Sequence, residues 1–288
     1  MGKIKLTEDR VFSIVVYLLL TILTILVALP LIYVLGGSLA PRSEFVTRNF
    51  FIFPKEISFD AYIYLFNNKE FLHALKNSIV ITGVGVCINM LLTTLMAYGL
   101  SKQWLPGRRV INFMVLFTML FSGGMIPLYI IVNSLGLLDS YWALWLVGAV
   151  SPFYLIVMRG LFGNIPHELE EAARIDGCGE WRLLFSISLP LAKPALATFT
   201  IFYIVEHWNS YFDAILYLHD PDKMPLQVLL RRLIIMEEEF FDPNIADILF
   251  SQAVPLAAII VTIAPLIIIF PFFQKYFNKG FLLGSVKD

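Results

Sequence analysis

The sequence predicts an all-α membrane protein with six transmembrane helices, and three observations lead to this fold class. The chain of 288 residues is 58% apolar and only 15% charged, whereas globular domains are about 45–50% apolar and about 25% charged. Several stretches lack Asp, Glu, Lys and Arg for long enough to cross a bilayer, which takes about 20 residues. These stretches are apolar on every side, a pattern that favours helices over the alternating strands of a membrane barrel.

The first predicted span, 12–36, follows a basic start and is apolar from Val11 to Leu35. A cleaved signal peptide is the alternative, because basic residues precede the apolar run and Ser38-Leu39-Ala40 resembles a cleavage site. The run is longer than the roughly 7–15 residues of a signal-peptide core. We therefore expect this helix to be retained.

The remaining spans follow from the other charge-free stretches. The second and third stretches are comfortably longer than a bilayer crossing requires, and the fourth is just long enough. The fifth is long enough only when polar residues up to Tyr211 are included. The whole chain, 1–288, is then one transmembrane domain with a cytoplasmic loop at 160–189 and outer loops at 37–76 and 212–251. The five spans are predicted at 77–101, 110–133, 140–159, 190–211 and 252–274.

The distribution of basic residues predicts the orientation of the chain. Six spans place both termini on one side, and Lys and Arg are more numerous in the segments on that side. Both termini are therefore predicted to be cytoplasmic. The formal net charge of −1 leaves no basic excess that could neutralise phosphates, which argues against a nucleic-acid partner.

The residues that usually hold metals or nucleotides show no recognisable spacing. Cys87 falls inside the second span and Cys178 in the cytoplasm, where thiols stay reduced, so no disulfide is expected. The four histidines have no ligand spacing, and no glycine-rich phosphate loop occurs in the sequence. We therefore expect no metal site, no cofactor and no nucleotide hydrolysis in this chain.

The cytoplasmic loop contains a short helix, predicted between Asn164 and Gly177. Asn164 is a suitable N-cap, Pro166 suits the first turn, and the glutamates that follow complement the helix dipole. Gly177 is suited to the end of the helix. An amphipathic helix that lies on lipid headgroups is one interpretation of this segment.

A more specific pattern overlaps this helix. Glu171-Ala172-Ala173 is followed at fixed distances by Gly177, Ile187 and Leu189-Pro190. This pattern resembles the EAA loop of the permease subunits of binding-protein-dependent ABC importers. The surrounding sequence is similar to the carbohydrate-importing branch of that family, in particular to the branch named for complex-polysaccharide and aldouronate uptake. The segments that carry this likeness are 123–129, 135–140 and 158–162, and the tail 279–287 resembles that of the smaller maltose-importer permease.

The resemblance implies a type I ABC importer permease fold with a cytoplasmic coupling helix, in a bacterial cytoplasmic (inner) membrane. The implied function is the import of an oligosaccharide, of plant or other polysaccharide origin, by a chain that is not itself an enzyme. The implied partners are a second permease subunit in a heterodimer, two ATPase subunits that bind ATP and Mg²⁺, an extracytoplasmic sugar-binding protein, and membrane lipid. Docking to the ATPase is expected at Glu170, Glu171, Ala172, Ala173, Asp176 and Gly177.

A polar and aromatic cluster is predicted at the outer end of the fifth span. Charged groups inside a span are costly and usually functional, and sugars need hydrogen bonds to their hydroxyls and aromatic faces for their rings. The cluster is therefore a candidate substrate path, while an ordinary interfacial belt of aromatic residues is the alternative. Its members are Glu206, His207, Trp208, Asn209 and Tyr211.

Two other classes of protein compete with the importer interpretation. An intramembrane enzyme could use Glu206 and His207 as acid and base, although adjacent helical residues point about 100° apart and cannot readily share one reacting atom. A solitary secondary transporter would be expected to contain inverted repeats, and none is visible in the sequence. Dependence of uptake on ATP and on other subunits distinguishes these classes.

Overall fold

The computed structural model describes residues 2–48, 50–235 and 252–285, and in these residues the regular structure is helical, with no β-strand. The all-α prediction is confirmed for this part of the chain. Residues 236–251 of the predicted outer loop 212–251 and the last residues of the tail 279–287 lie outside it. The helices are α1 (Gly2–Ser38), α2 (Arg42–Thr47), α3 (Asp60–Asn67), α4 (Lys69–Ser101), α5 (Arg108–Leu120), α6 (Met125–Ser134), α7 (Tyr141–Leu146), α8 (Pro152–Gly163), α9 (His167–Ile175), α10 (Glu180–Leu183), α11 (Leu189–Leu191), α12 (Lys193–Trp208), α13 (Phe212–Tyr217), α14 (Leu226–Ile235) and α15 (Ala253–Ser285).

Three helices among the described residues are long and apolar enough to cross a membrane. They are Arg10–Ser38 within α1, Lys69–Ser101, which is α4, and Ala253–Lys275 within α15. They contain the first and second predicted spans completely and the sixth except for residue 252. The other three predicted spans are not single straight helices, and each departure has a local cause.

The third predicted span, 110–133, is divided into α5 and α6. These helices have 13 and 10 residues, and each is too short to span the roughly 30 Å of a bilayer core alone. Between them the chain leaves the helical conformation at Phe121, and Gly124 has a φ of +88°. Only glycine adopts such a φ without strain, so the sequence Gly123-Gly124 explains the break.

The fourth predicted span, 140–159, is also divided. Ser140 begins α7 by accepting a hydrogen bond from the backbone N–H of Trp142 at 3.3 Å. The chain then departs from the helix at 147–151, where Gly148 has a φ of +71°. Pro152 starts α8 at a position where its missing N–H costs nothing.

The fifth predicted span, 190–211, begins and ends differently from the prediction. The segment Glu180–Leu191, which includes a π-helical turn at Leu184–Ser188, is bent by 82° from Lys193–Trp208. Pro190 and Pro194 flank this bend. Because proline removes a backbone donor and clashes with the preceding turn, the two prolines account for the change of direction.

The chain divides into two compact units, of which the first comprises residues 1–69 and 230–263. Here the end of α1 lies directly on the segment after α2, because a Cβ at Gly36 would overlap the carbonyl group of Ile52. The hydroxyl groups of Ser38 and Tyr62 share a hydrogen bond of 2.7 Å. Close backbone contact and this bond hold the end of the first long helix.

The second unit comprises residues 70–229 and 264–288 and holds the candidate sites described below. Its apolar core has two clusters of buried side chains. The first joins the end of α4 to α8, the π-helical turn and α12, and the second joins the middle of α4 to α7 and α13. Their central members are Tyr98, Leu100, Leu155, Met158, Phe162 and Phe199 in the first cluster and Ile81, Val132, Leu144, Tyr217, Leu218 and Val228 in the second.

Candidate functional site

The helix predicted between Asn164 and Gly177 is present as α9, but its start differs from the prediction. Asn164 does not cap it: this residue ends the preceding helix α8, where its backbone N–H bonds to the carbonyl of Gly160 at 3.1 Å. Pro166 precedes the first helical residue of α9, and Glu168 and Glu170 lie in its first turn. Gly177, with a φ of +79°, follows the helix as expected.

The structure separates the predicted docking residues onto two faces of α9. Glu170 and Ala173, three positions apart, are both 8% exposed and face the protein's own interior. Ile175, which the prediction omitted, is 87% exposed. The exposed members of the predicted set are Glu171, Ala172, Asp176 and Gly177.

Glu170 is buried because it forms an ion pair inside the chain. The Nζ of Lys102, just after α4, donates to its Oε1 at 2.6 Å, and both side chains are almost entirely covered. The same ammonium group lies 4.2 Å from the centre of the Tyr98 ring, one helical turn back. An unpaired charge at this depth would be costly, so Glu170 serves the fold rather than presenting a free carboxylate.

A second polar connection joins α4 to the segment after α9. The hydroxyl of Tyr98 donates to Oε2 of Glu180 at 3.0 Å. Glu180 also accepts from Arg174, near the end of α9, at 2.7 Å. These contacts were not predicted, because the residues involved are up to 82 positions apart.

The candidate substrate-path residues also separate onto different faces, here of α12 and the turn after it. His207 and Trp208 are buried, at 8% and 5% exposure, whereas Glu206 and Asn209 are exposed. Tyr211 is partly buried. Glu206 and His207 therefore point away from each other, an arrangement that does not suit an acid–base pair acting on one reacting atom.

His207 is part of a row of polar side chains between α4 and its neighbours that was not predicted from the sequence. Asn89 Nδ2 and His207 Nε2 are 2.9 Å apart, and the hydroxyls of Thr93 and Tyr203 are 2.8 Å apart. Ser78, on the same face of α4, accepts a hydrogen bond from the backbone N–H of Leu226 at 2.7 Å. Polar side chains at intervals of four and seven residues in an apolar helix, at Ser78, Thr82, Asn89 and Thr93, were the available signal, and such groups hold membrane helices together.

A surface ion pair fastens the loop after α13. Asp139 Oδ2 accepts from Lys223 Nζ at 2.7 Å, and its Oδ1 accepts from the backbone N–H groups of His219 and Asp220. The hydrogen bond from Lys223, followed by those from the two backbone groups, lowers the pKa of Asp139 from 3.8 to about 2. Asn77 holds the same loop by donating to the carbonyl groups of Asp222 and Met224.

Among the described residues, no group of three or more His, Cys, Asp or Glu side chains is arranged so that it could hold a metal ion. Cys87 and Cys178 are free thiols. The described residues thus form long apolar helices, divided or bent helices at the third, fourth and fifth predicted spans, and the short charged helix α9 with one exposed face. Helices of this length and apolarity define an integral membrane protein.

Residues 2–282 match the family of binding-protein-dependent transport system inner membrane components, and the chain belongs to this family. The predicted family is therefore confirmed. The family is one of transport components, and nothing supports the alternative of an intramembrane enzyme at Glu206 and His207.

Two curated relatives extend along almost the whole chain. The polygalacturonan/rhamnogalacturonan transport system permease protein YtcP of Bacillus subtilis (strain 168) is 44% identical, over 97% of this chain and 99% of the relative. The arabinooligosaccharides transport system permease protein AraQ of the same organism is 32% identical, over 97% of this chain and 98% of the relative. Both are permeases of sugar transport systems.

Two solved structures of ABC transporters have a similar fold. A chain of a bacterial ABC transporter involved in the import of the acidic polysaccharide alginate is 36% identical, with a TM-score of 0.88 over 94% of this chain and 98% of that chain. A second chain, from a bacterial alginate ABC transporter in complex with an alginate pentasaccharide-bound periplasmic protein, is 18% identical, with a TM-score of 0.64 over 92% and 93%. The second likeness supports the fold alone.

Proposed function

We propose that this chain is one of two permease subunits in an ABC importer for oligosaccharides. The observation that carries the proposal is its likeness, at 36% identity and over 94% of the chain, to a transporter involved in the import of alginate. The relatives named for polygalacturonan/rhamnogalacturonan and for arabinooligosaccharides support the same class of substrate. Because alginate and polygalacturonan are acidic polymers, an oligosaccharide of sugar acids is the first candidate.

The proposed assembly contains a second permease, two ATPase subunits and an extracytoplasmic sugar-binding protein. ATP and Mg²⁺ would be held by the ATPase subunits, because this sequence has no phosphate-binding loop. We propose six crossings with both termini in the cytoplasm, which agrees with the excess of basic residues on that side. In this arrangement the third and fourth crossings are each made by a pair of short helices.

The break between α5 and α6 supports the proposal that this chain forms part of the path along which the sugar crosses the membrane. All four residues of the break, 121–124, are exposed in this chain. Backbone groups outside a helix cannot face lipid, since no hydrogen-bonding partner is available there, and are tolerated only where protein covers them or where they line a water-filled cavity. We therefore propose that the break faces the second permease or the aqueous path between the two subunits.

The exposed face of α9 is the proposed ATPase-docking surface. It carries the acidic side chains Glu171 and Asp176, the small side chain of Ala172 and the apolar side chain of Ile175. An alanine allows close approach of another surface, and an isoleucine exposed at 87% gains from burial. Glu170 and Ala173, on the opposite face, position the helix and do not touch the partner.

Glu206, Asn209 and Tyr211 remain the proposed substrate-path residues on this chain. Asn209 Oδ1 accepts from Gln227 Nε2 at 3.3 Å, which orients the amide at the surface. Together they offer a carboxylate, an amide and an aromatic ring, the groups that bind sugar hydroxyls and sugar ring faces. His207 and Trp208 would support them from inside the protein.

Uptake by lipid vesicles tests this function. We expect vesicles containing the purified complex, with ATP inside and the binding protein outside, to accumulate labelled oligogalacturonides. Excess unlabelled oligogalacturonide should compete with this uptake more strongly than arabino-oligosaccharides do. Uptake that needs neither ATP nor a binding protein would contradict the importer assignment, and stronger competition by arabino-oligosaccharides would contradict the acidic substrate.

A further inference from the structure

The ion pair between Lys102 and Glu170 connects two helices that the chain itself does not connect directly. Lys102 follows the end of α4, and Glu170 lies 68 positions later in the first turn of α9. The covalent chain ties α9 only to α8 and to α10. The ion pair adds a connection from α9 to α4, one of the three long apolar helices.

The two faces of α9 have different chemistry at adjacent positions. Glu170 is buried against Lys102, while Glu171 is exposed, as expected for neighbours about 100° apart on a helix. If a partner pulls on the exposed face of α9, the ion pair between Lys102 and Glu170 on the inner face resists separation of α9 from α4. Arg174, bound to Glu180, and Tyr98, bound to the same glutamate, connect the far end of α9 to α4 as well.

We propose that Lys102 and Glu170 form a clamp through which movement of the coupling helix α9 reaches α4, so that these two elements move as one body during transport. The proposal rests on the ATPase-docking role of α9 proposed above. Lys102 and Glu170 are positioning residues in this scheme, because they touch neither the ATPase nor the sugar. Without the clamp α9 follows the ATPase, but its displacement reaches α4 only indirectly, through α8 and α10.

The clamp predicts loss of coupling rather than loss of ATP hydrolysis. In the complete complex, Lys102→Met should leave ATP hydrolysis running while the number of ATP molecules consumed per sugar imported rises about tenfold, within the usual range of coupling between distant sites. Lys102→Arg should retain the normal ratio, since arginine can also bind the carboxylate. The control is Glu168→Gln, which removes one negative charge from an exposed position of α9, two residues from Glu170, and leaves the ion pair intact.

A cross-linking experiment distinguishes the clamp from a general effect on folding. Lys102→Cys and Glu170→Cys are combined in a chain whose own Cys87 and Cys178 are replaced by alanine. Before linking, this complex should show the raised ATP-to-sugar ratio. Treatment with a short bifunctional thiol reagent should restore the ratio, because a covalent link replaces the ion pair. The ATP-to-sugar ratio before and after cross-linking also tests the clamp if Lys102→Met prevents assembly of the complex.

Three results would overturn the clamp: a normal ratio in Lys102→Met, a raised ratio of equal size in Glu168→Gln, or arrest of uptake after cross-linking. Arrest would mean that α4 and α9 must separate during the cycle. These results differ from a failure of the proposed function itself, in which the unmodified complex would bind no ATPase or would import no sugar.

Discussion

The substitution Gly85→Ala places a methyl group directly against the buried imidazole of His207. A Cβ at Gly85 would lie 2.6 Å from Cε1 and Nε2 of that ring and 2.9 Å from Cδ2, whereas favourable contacts between carbon atoms are about 3.5–4.0 Å long. The ring would have to move by about 1 Å to restore such a contact. Because Nε2 lies in hydrogen-bond contact with Asn89 at 2.9 Å, this movement disrupts the polar row between α4 and α12.

The expected loss follows from three contributions. Overpacking costs about 1–3 kcal/mol, and an interhelical hydrogen bond in a membrane protein contributes about 0.6–2 kcal/mol. Replacing glycine by alanine within a helix returns about 1 kcal/mol through helix propensity. The free energy of unfolding should therefore fall by about 1–4 kcal/mol in Gly85→Ala.

Unfolding of the purified protein in mixed micelles measures this difference, with Gly83→Ala as the control. A Cβ at Gly83, on the same helix, meets nothing within 4 Å, so this variant should be neutral or slightly stabilised. In a His207→Ala background the space beside Gly85 is open, and Gly85→Ala should then cost nothing further. Equal stability of Gly85→Ala and Gly83→Ala would refute the close packing of α4 and α12.

Three further predictions concern the docking face, the outer loop and the polar row. Ile175→Asp should leave the amount of protein in the membrane unchanged, because this side chain is 87% exposed, yet should abolish ATP-driven uptake; normal uptake would exclude Ile175 from docking. The pKa of Asp139 is depressed to about 2, so its ion pair with Lys223 stabilises the outer loop above about pH 4 and is lost as the pH falls towards 2. Asp139→Asn should accordingly make the loop more sensitive to protease at neutral pH, and unchanged sensitivity would count against the ion pair. Tyr203→Phe removes the hydroxyl that bonds to Thr93 at 2.8 Å and should lower stability by about 1 kcal/mol in the same unfolding assay; a change indistinguishable from zero would show that this bond contributes nothing.

The long helices were predictable from the sequence, while the broken ones were not. Residues 77–101 of α4 and residues 253–274 of α15 lack charged side chains, and hydropathy locates such stretches directly. The break after α5 contains no charged residue, so a search for charge-free stretches passes over it. The pair Gly123-Gly124 was the local signal, and its meaning depends on a left-handed φ that only the folded chain reveals.

The short helix α9 was predictable in outline, but its orientation was not. The acidic first turn and the glycine after the last turn predicted α9 from local sequence alone. Which face turns inward depends on Lys102, 68 residues earlier in the chain. The burial of His207 likewise depends on Asn89, 118 residues away. Contacts at such separations follow from tertiary packing, which no periodicity within a single helix encodes.

The most direct test of the central claim is to purify the tagged chain from its own membranes in mild detergent and to identify by mass spectrometry what accompanies it. A subunit of an ABC importer should bring with it a second multi-helix permease and an ATPase with a phosphate-binding loop. Ile175→Asp should retain the permease and lose the ATPase. Recovery of the chain alone, stable and monodisperse, would contradict the account.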